Sequence, residues 1–592
     1  MHISRNLLLA LTCLLGSAMA LAIPLEDPIP ETIEAGDIEI TLVEVASELI
    51  SPLHGAAAPG DTTRLFIADQ TGLLQALDLA TGAISTFLDV TDRVVYIPGA
   101  YDERGFLGVV FDPDYAANGY LYTYTSEAID GVGDFPLESF ADHQSVVSRW
   151  EVPTPSDPTS LVDVSTRKEI LRLDQPTRFH NGGGLAFDND GMLLIALGNG
   201  GPIDTGQDNS NPLGSILRID LMGSNSANGA YGIPSDNPFV GVEGVVEEIF
   251  ATGFRNAFRI SVDKVTGDIW GSDVGNDDIE EVNLVQSGLN YGFNRMEGSF
   301  CFVGTSGQPT GNPGVSDPSE CDTTGLETPF AEYDHDEGTA VIGGYVYRGT
   351  DVADMTGRYV FGDYSRFFSQ PSGRLFYLDD TTIREMKLAG ADALDMQLLG
   401  MGEDANGEIY VLGNATGRTT GITGTVFRID SGPGRTSFLD DQFSIEEDVG
   451  SIQLIVNRSG GNKGQATVNY TVAAGTASAG DDFTATSGEL VWMDREDGNK
   501  EIEVAINDDG QEEESETIVV TLTDASGAPL GEFAEIIITL LDTGIADNDD
   551  GGNSDNIFGC TLGSNGRPDP TFPALVLIAL AYQIRRKWLR VH

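Results

Sequence analysis

Asp188-Asn189-Asp190-Gly191-Met192-Leu193-Leu194-Ile195-Ala196-Leu197 is a tight turn that feeds an apolar strand. Short Asp and Asn side chains can bond their own backbone, and the glycine accepts the left-handed conformation such a turn needs. The same Asp-to-Gly turn recurs at 263–267 and at Asp404-Ala405-Asn406-Gly407, where it precedes Glu408-Ile409-Tyr410-Val411-Leu412. Arg64-Leu65-Phe66-Ile67-Ala68 and Gly119-Tyr120-Leu121-Tyr122-Thr123-Tyr124 are further short β-rich runs. Ser215-Ile216-Leu217-Arg218-Ile219-Asp220 and Thr425-Val426-Phe427-Arg428-Ile429-Asp430 are near copies of each other. Strands that recur every few dozen residues with almost no helical periodicity predict repeated antiparallel sheets. A propeller disposes of the edges such repetition creates. The expectation is an all-β chain with a six-bladed β-propeller over 37–432, although the period alone does not separate six blades from seven.

The chain has 592 residues, with 32 basic and 92 acidic side chains, a net charge of −60. A phosphate backbone demands cationic surface, so nucleic acid is excluded as a partner. Excess carboxylate keeps a chain soluble and offers oxygen ligands to calcium. His2 and Arg5, the apolar run from Leu7 to Leu15, and Ala18-Met19-Ala20 have the layout of a secretory signal peptide over 1–20. At the other end, an acidic Gly/Asn linker at 544–557 leads to Phe558-Gly559-Cys560-Thr561-Leu562, an apolar segment at 572–584 and Arg585-Arg586-Lys587. Residues 558–592 resemble C-terminal sorting signals of Gram-negative exported proteins. That resemblance implies a sorting protease as partner and Cys560 as the attachment or release point. The expected location is the periplasm, the outer surface or the medium, with membrane contact only through the terminal segments. Of the four cysteines, Cys13 leaves with the signal and Cys560 sits in the sorting motif. Cys301 and Cys321 remain, and an oxidising compartment predicts one loop-closing disulfide between them.

Residues 437–543 form a second β-rich segment. Phe443-Ser444-Ile445-Glu446-Glu447, Ala466-Thr467-Val468-Asn469-Tyr470-Thr471-Val472 and Thr517-Ile518-Val519-Val520-Thr521-Leu522 alternate as strands of an immunoglobulin-like sandwich. Between them lie Ala479-Gly480-Asp481-Asp482-Phe483 and the acidic run from Asn507 through Asp508, Asp509, Glu512 and Glu513. The segment resembles the Calx-beta module. The resemblance implies Ca²⁺ bound by Glu446, Glu447, Asp481, Asp482, Asp508, Asp509, Glu512 and Asp542, a donor set suited to a hard cation.

Only six histidines exist, two of them at the ends. His180 opens Phe179-His180-Asn181-Gly182-Gly183-Gly184-Leu185, where glycines admit a ligand to the backbone and imidazole offers a base near neutral pH. An ordered series follows: Asp208-Asn209, Asn237-Pro238-Phe239, Glu248 to Asn256 with Gly253-Phe254-Arg255-Asn256, Asp273-Val274-Gly275, Glu280-Glu281-Val282-Asn283 and Asn290-Tyr291-Gly292. The series resembles the pyrroloquinoline quinone (PQQ)-dependent glucose/sorbosone dehydrogenase family. Glu103 to Gly108, Phe111 to Tyr115 and Gly343-Gly344-Tyr345-Val346-Tyr347-Arg348-Gly349 resemble its hedgehog-interacting-protein-like branch, which includes members that bind proteins.

The resemblance implies catalysis by His180 as base, Arg255 facing the quinone oxygens and Asn199 orienting the histidine. PQQ would be bound by His180, Asn181, Arg255, Asn256, Tyr345 and Arg366, and a propeller Ca²⁺ by backbone oxygens of Gly275 and Asn276. The implied reaction is oxidation of an aldose-type sugar at C1 to its lactone, with electrons passed to an external acceptor. Two departures stand against it. Asn199, in Leu197-Gly198-Asn199-Gly200-Gly201, replaces the family's aspartate, with Asp204 and Asp208 as possible substitutes. The late-blade cations have only Arg348 and Arg366 as stand-ins. The rival expectation is a non-catalytic, surface-displayed propeller that binds glycan or protein.

Overall fold

A computed structural model describes residues 25–541 apart from 26, 100, 138–139, 202–204, 304–313, 392 and 509–512. The signal peptide, the linker, the sorting signal with Cys560, and Asp204, Asp509, Glu512 and Asp542 lie outside the described residues.

The first blade is built from Pro52–Ala56, Arg64–Asp69, Leu73–Asp78 and Ile84–Asp89, each strand antiparallel to the one before. Five more blades follow, their inner strands being Phe106–Phe111, Leu185–Phe187, Ala257–Val262, Val341–Val346 and Gln397–Glu403. The sixth blade takes only three strands from its own stretch, Gln397–Glu403, Ile409–Asn414 and Gly424–Ser431. Its outer strand is Ala35–Leu49 from the start of the chain, with Ile40 opposite Ser431 and Leu42 opposite Ile429. The count is therefore six.

Inner strands are apolar on both sides because each is clamped between neighbouring blades; Leu65, Phe66, Ile67, Leu193, Leu194 and Ile195 of the strands beside them are fully buried. Where inner strands approach most closely, a side chain has no room. A Cβ on Gly400 would lie 1.8 Å from the Leu53 carbonyl oxygen. Every inner strand begins at the same face, so the loops entering these strands and the loops after each second strand converge there. Between Ile279–Val285 and Ala331–Asp334 the fourth blade carries an excursion with a three-stranded sheet and the Cys301–Cys321 disulfide, Cα–Cα 5.8 Å.

The sandwich packs Arg435–Phe438, Ser451–Ser459 and Gly498–Ala505 against a five-stranded sheet that includes Ala466–Ala474 and Glu516–Ser526. Trp492, Phe483, Ile518 and Val520 fill its core. Asp430, at the end of the last propeller strand, is 3% exposed and bonds Lys463 at 2.9 Å and Arg495 at 2.8 Å. Glu39 N–H donates to the Gly460 carbonyl at 2.9 Å beside it.

Candidate functional site

The converging loops surround a cavity of about 230 Å³ on the propeller axis, lined among others by Glu103, His180, Arg255, Gly275, His335 and Tyr364. His180 holds a left-handed backbone, φ 54°, unusual outside glycine. Its N–H donates to Glu103 Oε2 at 2.5 Å, and Gly200 N–H donates to its carbonyl at 3.2 Å. Burial and the Arg255 charge push its imidazole down to about 3, so the ring is neutral at physiological pH.

Asn199 is fully buried, and its Oδ1 lies 2.7 Å from His180 Nδ1. The same Oδ1 accepts Gly201 N–H at 2.9 Å. A flipped amide would set its NH₂ against that N–H, so the oxygen is the atom facing the ring. Nδ1 therefore carries the hydrogen, and Nε2 is left as the unprotonated nitrogen.

Arg255 N–H and Asn256 N–H both donate to Asp273, at 2.8 and 2.6 Å. Burial lifts Asp273, and burial with the Asp273 charge lifts its cross-strand partner Glu281. The Arg255 guanidinium donates to Asn276 Oδ1 at 3.3 Å and to the Val274 carbonyl at 2.9 Å, and pairs with no carboxylate among the described residues. Asn256 Oδ1 accepts Gly182 N–H at 3.0 Å, which fastens the glycine loop to the fourth blade. Asn181 is buried in the cavity wall.

The Gly275–Asp278 turn is wrapped around one carboxylate: Glu297 Oε1 accepts N–H bonds from Asn276, Asp277, Asp278 and Ile279 at 2.8–3.1 Å. The carbonyls of Gly275 and Asn276 accept no hydrogen bond among the described residues. They are open oxygen donors at the cavity wall, as a hard cation requires.

Three expected residues are not brought to this cavity. Tyr345 lies four residues along its inner strand, at the opposite mouth of the axis, where its hydroxyl meets His54 Nε2 at 3.1 Å. Arg348, three residues further and past the strand end, pairs with Asp263 at that far face. Arg366 is exposed on the near face, outside the cavity lining. Asp208 does not substitute for the missing aspartate, because it is exposed and its carboxylate caps Ser210.

Sequence reading missed His335. It lines the cavity, and its Nε2 lies 2.9 Å from Glu280 Oε1. Burial alone would lower it, but the bond and charge of Glu280, with Glu297 and Asp363 behind, carry it up to about 9. It is a second cation beside Arg255. Its one legible signal was rarity, as one of four histidines away from the termini.

In the sandwich, Glu447 and Asp482 are both buried, with carboxylate oxygens within 4.8 Å of each other. Glu446, Asp481 and Asp508 are exposed.

A family model described as "Glucose / Sorbosone dehydrogenase" matches residues 50–417, and one described as "Calx-beta domain" matches 430–544. The chain is 28% identical over 365 residues to the HIPL2 protein of Arabidopsis thaliana, covering 53% of this chain and 51% of that protein. It is 28% identical over 405 residues to the Hedgehog-interacting protein of Homo sapiens, covering 65% and 52%. The chain thus spans about half the length of these curated relatives. Among solved structures, the soluble aldose sugar dehydrogenase of Escherichia coli in its apo form aligns with TM-score 0.50 and 21% identity, over 66% of this chain and 99% of that one. That likeness is one of fold.

Proposed function

Since the chain belongs to the glucose/sorbosone dehydrogenase family and carries a Calx-beta domain, we propose that it is an exported quinoprotein dehydrogenase that oxidises an aldose-type sugar at C1 to its lactone. One observation carries the reading: Asn199 holds His180 in the tautomer with a bare Nε2, in a cavity that also presents Arg255. PQQ, an anionic quinone, suits this cavity, because Arg255 and His335 stand at its wall as two cations. PQQ, when bound, supplies a quinone that accepts hydride, and a Ca²⁺ on the carbonyls of Gly275 and Asn276 supplies Lewis acidity.

The protein residues do the rest. His180 Nε2 takes the proton of the anomeric hydroxyl. Glu103 and Gly200 fix the histidine backbone, so the ring does not swing as the proton arrives. Arg255, anchored through Asp273, presents its guanidinium where negative charge grows. In the sandwich, Glu447 and Asp482 are the pair suited to a structural Ca²⁺.

Sugar-dependent dye reduction by the purified full chain with PQQ and Ca²⁺ tests the proposal; no PQQ binding at micromolar cofactor would end it. Asn199 itself favours a second reading. Its amide orients the imidazole without a charge to stabilise imidazolium, as a propeller kept for binding glycan or protein would tolerate. Glycan-array or pull-down binding without PQQ, together with no turnover, would decide for that reading.

A further inference from the structure

His335 lies in the connection between Ala331–Asp334 and Val341–Val346, one blade beyond Arg255. Its partner Glu280 is withdrawn from water, with 0% side-chain exposure. The second oxygen of Glu280 accepts Val341 N–H at 2.8 Å, and no other cation pairs with the carboxylate among the described residues. A buried carboxylate needs a compensating charge, so the ring is held as imidazolium with Nε2–H committed to Glu280. The other donor, Nδ1–H, meets no acceptor among the described residues, while the side chain keeps 30% of its surface. His180 is the mirror case. Its Nδ1–H is committed to Asn199, and its bare Nε2 is an acceptor. Two histidines in opposite proton states therefore line one cavity, the arrangement that separates an acid from a base.

We propose that His335 is the acid-side counterpart of His180: its Nδ1–H, with Arg255, forms a two-cation clamp that receives the oxygen gaining negative charge on the hydride acceptor. The proposal rests on the dehydrogenase reading above. His180 Nε2 takes the hydroxyl proton, and the C1–H hydrogen leaves with its electron pair to a two-electron oxidant of the ortho-quinone class. The C1–O1 bond becomes a carbonyl, and the oxidant oxygen that gains the charge accepts the hydrogen bond of His335. A role confined to linking blades would use Nε2 and Glu280 alone, and would leave ligand affinity unchanged when the ring is replaced at constant fold.

The test uses the full chain labelled with ¹⁵N at histidine, with oxalate as a small dianionic probe and PQQ as the quinone. In the free protein at pH 7.5, both His335 nitrogens should carry hydrogen, and oxalate should move the Nδ1 resonance. His335→Gln should weaken oxalate and PQQ at least tenfold, the worth of one charge-assisted hydrogen bond. His335→Lys, which keeps a cation, should stay within threefold of the parent. A neutral His335 ring at pH 7.5, or unchanged affinity for both probes in a folded His335→Gln variant, overturns the proposal. If His335→Gln does not fold, the nitrogen states and the oxalate response of the unmodified chain decide. If PQQ fails to bind the parent while oxalate binding still depends on His335, the clamp stands and the dehydrogenase reading falls.

Discussion

Asn199 Oδ1 stands 2.7 Å from His180 Nδ1, with Gly201 N–H locking the amide in place. The pair has the geometry of a base and its orienting carboxylate, but not the charge. In a serine-protease triad the same exchange costs about 10⁴ in rate. Asn199→Asp is therefore expected to speed sugar oxidation by one to several orders of magnitude and to raise the His180 pKa from about 3 toward neutrality. Steady-state kinetics and a histidine NMR titration check both. A slower variant would mean that residue 199 does not face the ring.

Replacing the base itself should be more severe. His180→Gln removes Nε2 as a proton acceptor while keeping a side chain that can meet Asn199. The expected result is loss of turnover with PQQ affinity kept within a few-fold, read by dye reduction and by cofactor titration.

The His335–Glu280 pair makes a statement about pH. The folded pKa, about 9, lies above the ordinary 6.5. Its contribution is thus fully present below about pH 6.5 and is lost as pH rises through about 9. At one pKa unit per 1.36 kcal/mol the limit is about 3 kcal/mol, reduced by the ring's partial exposure. Denaturant midpoints across pH 6–10 should fall for the parent chain and fall less for His335→Gln. Equal slopes would refute it.

Calcium should matter to the sandwich. Ca²⁺ is expected to raise its melting temperature, chelator to lower it, and Asp482→Asn to abolish the difference, because Glu447 then loses its companion carboxylate. Calorimetry with and without chelator gives the answer.

Asp430 joins the two domains. Asp430→Ala strands Lys463 and Arg495, each more than a third exposed, so the cost should be about 1–3 kcal/mol rather than the larger figure of a dry pair. The expected sign is a split of one thermal transition into two. A single unshifted transition would show that the ion pairs contribute nothing to docking.

Much of the fold and of the candidate site is legible in the sequence. Turn-and-strand units such as 188–197 carry their own chemistry, and that chemistry set the blades. His180, Asn199 and Arg255 were legible because each sits at a loop that enters an inner strand or follows a second strand, where motif order maps onto one face. Tyr345 and Arg348 went astray for a physical reason. Only a few residues separate the near mouth of an inner strand from the far one, and a motif read along the chain does not say at which mouth a side chain emerges. His335 was illegible because its meaning comes from Glu280, 55 residues away in sequence, and from burial that no local pattern states.

The first strand of the ring, Ala35–Leu49, finds its antiparallel partner only in Gly424–Ser431. The earliest part of the propeller to be synthesised must therefore wait, with one row of backbone donors and acceptors unmet, until the last blade exists. Such long-range closure makes folding slow and leaves an edge open to other chains in the meantime. Under the export proposed above, this delay would serve a purpose, because a ring that cannot close before its last blade exists leaves the chain threadable until then.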